Sequence, residues 1–178
     1  MYKKIIFFLI IAAICTSVNA QIKSLVIKKL DASFSMKNGL VLVNGSFDKG
    51  IAAVQYNAAK PVQSMFTGSV DVATINTGVG LRDKHLIEKS EFFDAKKYPT
   101  IKMVSSKLIE KDGKIIVDWL ITMKGITKTI SAPVIIISKS GILLFSTNFT
   151  INRRDFKVGT KSMLMADDVK VNLHVEAM

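Results

Sequence analysis

The amino-acid sequence predicts an all-β protein, an antiparallel sandwich or barrel. Three observations carry that prediction: apolar residues recur at every second position, short glycine turns separate the alternating stretches, and a single long connection breaks the pattern. In "VKVNLHVEA" Val169, Val171, Leu173, Val175 and Ala177 share one face, and Lys170, Asn172, His174 and Glu176 share the other. "FSTNFTI" and "VDWLITM" repeat the pattern, with Phe145, Thr147, Phe149 and Ile151 in the first and Val117, Trp119, Ile121 and Met123 in the second.

The chain opens with a segment that has no place in such a sheet. Lys3 and Lys4, the apolar run Ile5 to Ile14, and Val18-Asn19-Ala20 have the basic, apolar and small-residue order of a secretory leader. The run is too short to span a bilayer. Residues 1–20 are therefore expected to be removed, leaving 21–178 as one exported domain, periplasmic or secreted. Cys15, the single cysteine, falls inside that leader. It follows Ile14 rather than the small residue a lipoprotein signal places before its cysteine, so neither a lipid anchor nor a disulfide is expected.

Strands are expected next, at Leu25 to Met36, Leu40 to Phe47, Ile51 to Asn57 and Met65 to Thr74. Turn chemistry divides them at Asn38-Gly39 and Asp48-Lys49-Gly50. From Thr77 to Pro99 the alternation stops. Asp83 can cap a short helical turn that carries Leu86 and Ile87 inward, and Asp94 can start a second turn, which Pro99 ends. A connection of this length usually serves as a lid, a plug or a functional loop. Strands then resume at Thr100 to Ile109, Val117 to Met123, Thr127 to Ser138, Phe145 to Ile151 and Val169 to Ala177. Lys111-Asp112-Gly113, Lys124-Gly125 and Ser140-Gly141 turn between them.

A closed sheet can face its apolar side inward, as a calyx in water, or outward, as a barrel in an outer membrane. The membrane form needs aromatic girdles at both interfaces, and beyond residue 20 the chain has one Trp and two Tyr. The calyx is the expected form. A barrel of about eight strands can hold one small ligand, or be filled by its own side chains.

The net charge of +11 comes from 25 Lys and Arg against 14 Asp and Glu, spread along the chain. Export argues against nucleic acid as a partner. A solvated lysine surface accounts for most of the excess, while transient contact with an anionic membrane and a homodimer both stay open. Only Arg82, Arg153 and Arg154 are arginines, and their forks suit phosphate or carboxylate.

Three groups of residues then meet a known pattern. They are Ile75-Asn76-Thr77-Gly78 with Arg82-Asp83-Lys84-His85-Leu86, Phe92-Phe93-Asp94 and Tyr98-Pro99-Thr100-Ile101; Met123-Lys124-Gly125-Ile126-Thr127-Lys128; and Ile151-Asn152-Arg153-Arg154-Asp155-Phe156. In order and spacing over most of residues 31 to 177 the chain resembles the YceI-like family. The resemblance implies an extended, antiparallel, lipocalin-like β-barrel with a short helical lid connection. It also implies an apolar lumen that binds a polyisoprenoid or similar long-chain amphiphile, in a binding protein rather than an enzyme, without a cofactor. The chain departs from the pattern at Ser35-Met36-Lys37-Asn38, where many members carry a His, and at Lys157, where members often carry Gly.

By parity, Phe66, Val70, Val72, Met103, Trp119, Ile121, Met123, Phe145, Phe149, Val171 and Leu173 can point inward, as plain core or as ligand wall. Met103 and Met123 would suit a flexible chain. Of Phe92 and Phe93, one ring is expected in the core and the other on the lumen. Arg82 and His85 are expected either as donors to a polar head at the mouth or as parts of a structural network with a carboxylate. A continuing strand would send Arg153 and Arg154 to opposite sides, so at most one, taken as Arg154, meets a ligand, and a structural ion pair with Asp155 is the competing reading.

Catalysis finds few residues. Two His are too few for an ordinary metal site even with Asp167 and Asp168, and no G-x-S-x-G turn is present. The reading is an exported lipid-binding barrel. The alternative is a periplasmic stress or interaction module, with a filled barrel and a basic surface that meets membrane or protein.

Overall fold

The protein is described by a computed structural model over residues 21–178. The expected leader at 1–20 lies outside the described residues. The strands are β1 (Lys23–Ser24), β2 (Ile27–Asn38), β3 (Val41–Phe47), β4 (Gly50–Tyr56), β5 (Met65–Asp71), β6 (Ile75–Asn76), β7 (Thr100–Lys111), β8 (Lys114–Met123), β9 (Ile126–Lys139), β10 (Ile142–Asn152) and β11 (Asp168–Ala177). One helix, α1 (Gly80–Glu88), lies between β6 and β7.

All eleven strands join one antiparallel sheet, in the order β1-β4-β5-β7-β8-β9-β10-β11-β2-β3-β6. The sheet closes on itself because β1, beside β4, and β2, beside β11, are consecutive in the chain. Leu25 N donates to Val54 O of β4 at 2.9 Å, and one residue later Val26 and Met178 exchange bonds of 2.8 and 3.0 Å beyond the end of β11. The segment therefore stitches β4 to β11. Eight strands form the ring, with β1 and β2 counted as one, while β3 and β6 extend the wall at one end.

Alternation determines which residues fill the ring. Along β8 the buried positions are Val117, Trp119, Ile121 and Met123, while outward-facing Asp118 accepts from Ser131 Oγ at 2.5 Å. One end is packed solid. Tyr56 and Phe66 meet Phe145 edge-on, each with ring centroids 5.6 Å apart, and Phe66 tilts against Trp119 at 5.9 Å. Aromatic contacts of this kind add about 0.5–1.5 kcal/mol each beyond the area they bury. Val117, wholly buried beneath this cluster, completes a floor.

The connections gather at the other end. The β8–β9 turn places Lys124 and Gly125 at φ 50° and 74°, the pair of positive angles that a two-residue type I′ turn needs. Lys124 Nζ donates to Ser90 O at 2.8 Å and to Lys157 O at 2.9 Å, tying this turn to two other connections. Burial there pushes its pKa down, partly offset by Asp94 and Glu91. Lys157 takes the left-handed conformation, φ 56°, so this bend is made by a side-chain-bearing residue. Removing the Cβ relieves that strain, and Lys157→Gly is expected to raise stability by about 0.5–1 kcal/mol in urea denaturation. An unchanged or lower midpoint would contradict this.

The helix differs from expectation in its start. It begins at Gly80, and Asp83 lies within its first turns rather than at the cap. The Asp83 carboxylate instead reaches back to Thr77, accepting from its backbone N at 3.0 Å and from its hydroxyl.

Candidate functional site

Between the aromatic floor and α1 the barrel is hollow. A cavity of about 300 Å³ occupies this space, walled almost entirely by carbon. Its extent follows the strands. On β8 Met123, Ile121 and Trp119 line it, and Val117, two residues further down, does not. Trp119 therefore marks the bottom, with Phe66 and Phe145 beside it.

The wall residues are themselves informative. Phe34, Met36, Val70, Met103, Phe149, Val171 and Leu173 all line the cavity and are only half-buried, although their strands place them on the inner face. Apolar side chains with free surface on the inside of a barrel are what an empty lumen looks like, because in a filled barrel neighbouring atoms would cover them. The lid connection supplies the roof. Phe92, Phe93 and Leu86 line the cavity, and Phe93 meets Phe47 of β3 edge-on at 6.3 Å. Both phenylalanines of the pair face the lumen, where only one was expected to.

Two arginines reach this space, and their surroundings separate their roles. Arg153, 3 % exposed, donates to the carbonyls of Ala166 (3.0 Å), Val158 (2.8 Å), Thr160 (3.0 Å) and Met165 (3.4 Å) and to Asp167 Oδ1 (2.8 Å). All three nitrogens of its fork are engaged, and it holds residues 158–167 as a strap at the mouth. Arg82 is engaged on one side only: Nε donates to Thr77 Oγ1 and Nη2 to Thr77 O, both at 2.7 Å. Among the described residues Arg82 forms no direct ion pair; the carboxylate of its network is Asp83, reached through Thr77 Oγ1, which accepts from Arg82 and donates to Asp83, and Arg82 itself lines the cavity.

Three of the expected site residues do not line the lumen. Arg154 is exposed and pairs with Asp167 Oδ2 at 3.2 Å. The reason is local: β10 ends at Asn152, whose side chain caps a 3₁₀ turn over Arg153–Phe156, and the turn replaces strand parity. Arg153 thus faces in, and the acid of the ion pair is Asp167 rather than Asp155. Val72, 1 % exposed, sits in a second 3₁₀ turn capped by Asp71 and is core behind the wall. His85 is exposed on α1, about 100° round the helix from Leu86, which does face inward.

Other wall residues had gone unassigned. Leu30, Ala32, Phe34 and Met36 of β2 line the cavity, and so do Val43 and Phe47 of β3. The alternation of Leu30, Ala32, Phe34 and Met36 was the available signal. Thr147 Oγ1 and Trp119 Nε1 are buried without a hydrogen-bond partner among the described residues, and both side chains belong to the wall. No cluster of three or more His, Cys, Asp or Glu that could hold a metal occurs among the described residues.

With this geometry in view, comparisons with known proteins agree. The family described as YceI-like domain matches residues 17–177. A UPF0312 protein of Vibrio cholerae is 28 % identical over 150 residues, 79 % of this chain and 76 % of the relative. For a UPF0312 protein of Photorhabdus laumondii, 27 % identical, the aligned stretch spans 48 % of this chain and 44 % of the relative. Among solved structures, BcnA of Burkholderia cenocepacia superposes with a TM-score of 0.79 at 29 % identity, covering 84 % of this chain and 96 % of that one. A polyisoprenoid binding domain from Saccharophagus degradans shares the fold, with a TM-score of 0.65 over 86 % of this chain and 96 % of that one, at 14 % identity.

Proposed function

Since the chain belongs to the YceI-like family, we propose that it is a lipid carrier, which holds the apolar tail of a polyisoprenoid or similar long-chain amphiphile inside the barrel. The observation that carries this reading is the uncovered apolar inner wall above a solid aromatic floor. Each square ångström of tail and wall removed from water contributes roughly 25 cal/mol. A hydrocarbon chain has no hydrogen bonds to lose on entry, so the carbon wall sets affinity without a polar penalty. The leader-like residues 1–20 support export to the periplasm or beyond. The function is binding, with no reaction assigned.

Arg82 is the residue placed to meet a polar head. Half of its guanidinium is fixed by Thr77, which orients the other half. The head it suits is a phosphate or a quinone oxygen. Arg82→Ala is expected to weaken binding of a polyprenyl phosphate by about tenfold, or 1.4 kcal/mol, more than it weakens a polyprenol of equal length. Equal weakening of both would assign Arg82 to the lid structure alone.

Trp119, the only tryptophan, reports on the floor. Its emission is expected to change with tails long enough to reach it and to stay constant with short ones. A response independent of tail length would oppose the lumen as the binding site. A cavity walled by half-buried apolar side chains favours this reading over a barrel filled by its own side chains.

A further inference from the structure

The β2–β3 hairpin and the strap held by Arg153 form one platform at the mouth. Gly39 N donates to Leu164 O at 2.7 Å, Ala166 N donates to Lys37 O at 2.9 Å, and Asn38 bridges to Met165. The Leu164 side chain lies over Gly39. The tips of this platform are apolar where turns are normally polar: Leu40 is 107 % exposed and Met163 104 %, and Val41, Leu42 and Leu164 are also exposed. Single exposed apolar residues are ordinary, but five on a hairpin and the strap hydrogen-bonded to it form a patch that needs a partner.

From this arrangement we infer that the platform docks on an anionic lipid bilayer, with Leu40 and Met163 entering its surface and the lumen mouth facing the lipid. Three features select this partner. Exposed Lys37 and Lys161 flank the tips on the same two segments, and Lys170 lies on β11 beside β2 with exposed Asp168; the recess that Lys161 lines holds Glu91 and Asp94 against Lys97, Lys124, Arg154 and Lys157, so the basic groups outnumber the acids. Asp167 is already neutralised by Arg153 and Arg154. Apolar tips with basic neighbours match a membrane interface, where apolar insertion and attraction to anionic lipid add together. Finally, Met36, Asn38 and Met165 on the inner side of the same platform line the cavity, so a docked barrel opens onto the phase in which a long-chain lipid resides. Five side chains alone do not reach the roughly 800 Å² per partner that a stable dimer buries.

The inference rests on the lipid-carrier reading for its purpose and is tested apart from it. Purified protein is sedimented with vesicles of phosphatidylglycerol and phosphatidylcholine, and of phosphatidylcholine alone, all free of isoprenoid. Binding is expected to the first, to weaken with added salt, and to bring hydrogen-exchange protection at residues 38–42 and 161–165. Leu40→Asp is expected to lower it about tenfold, and Ile135→Asp, on the outer wall of β9, to leave it unchanged. Protein that stays in the supernatant, or equal loss with both variants, would overturn the proposal. So would a dimer in the absence of vesicles that Leu40→Asp dissociates. Trp119 emission with polyprenyl phosphate added from solution separates the two readings: Leu40→Asp should respond as the parent does, whereas no response in either protein indicts the carrier function.

Discussion

Gly68→Phe is expected to abolish long-chain lipid uptake while leaving the protein folded. Gly68 lies in β5, opposite Ala52 and Met103, and all three line the cavity. A Cβ built there would meet only Ile51 O, at 3.5 Å, an ordinary contact, so the backbone accepts a side chain without strain. A phenyl ring of about 150 Å² would then occupy the space that a tail needs. At roughly 25 cal/mol per Å², losing that area removes about 4 kcal/mol of binding, several hundredfold. An aromatic residue also suits a strand better than glycine does, so the melting temperature should hold or rise. Phenylalanine leaves Trp119 as the sole tryptophan reporter. Unchanged affinity would place the ligand outside the lumen, and a lower melting temperature would call for Ala52→Leu on β4 as the milder obstruction.

The second large effect concerns stability. Replacing Arg153 with Ala strips charge-assisted donors from four carbonyls, whereas Asp167 is partly exposed and keeps Arg154, so the unmade carbonyl bonds carry the cost, about 3–5 kcal/mol in total. Arg153→Lys should recover little of this, because one ammonium cannot reach acceptors spread over residues 158 to 167 as a planar fork does. Chemical denaturation measures the loss, and hydrogen exchange locates it in the strap. A loss below about 1 kcal/mol with normal protection of residues 158–167 would remove Arg153 from this role.

Much of the fold was legible because β8, β10 and β11 have one face in the barrel and one in water, which writes period two into the sequence. The inner residues of those strands, Trp119, Ile121, Met123, Phe145, Phe149, Val171 and Leu173, all line the cavity. Parity failed where a strand ended in a 3₁₀ turn. Val72 follows Asp71 into one such turn, and Arg153 and Arg154 follow Asn152 into another, so counting by two assigned Val72 and Arg154 wrongly. The helix start was missed because Val79 provides no side-chain cap, while Asp83, which the sequence offered as the cap, is used to hold Thr77. Hollowness itself was not legible. Phe149 has the same pattern whether a neighbouring side chain or empty space lies across from it, and only the packing of all strands together decides which.

A lipid is expected to occupy this space. Native mass spectrometry of the purified protein, followed by organic extraction and identification of what it carries, tests this most directly. The account predicts one long-chain amphiphile per chain, retained by the parent protein and absent from Gly68→Phe. A parent that remains free of lipid when offered polyprenyl phosphate, with Trp119 emission unchanged, would contradict it.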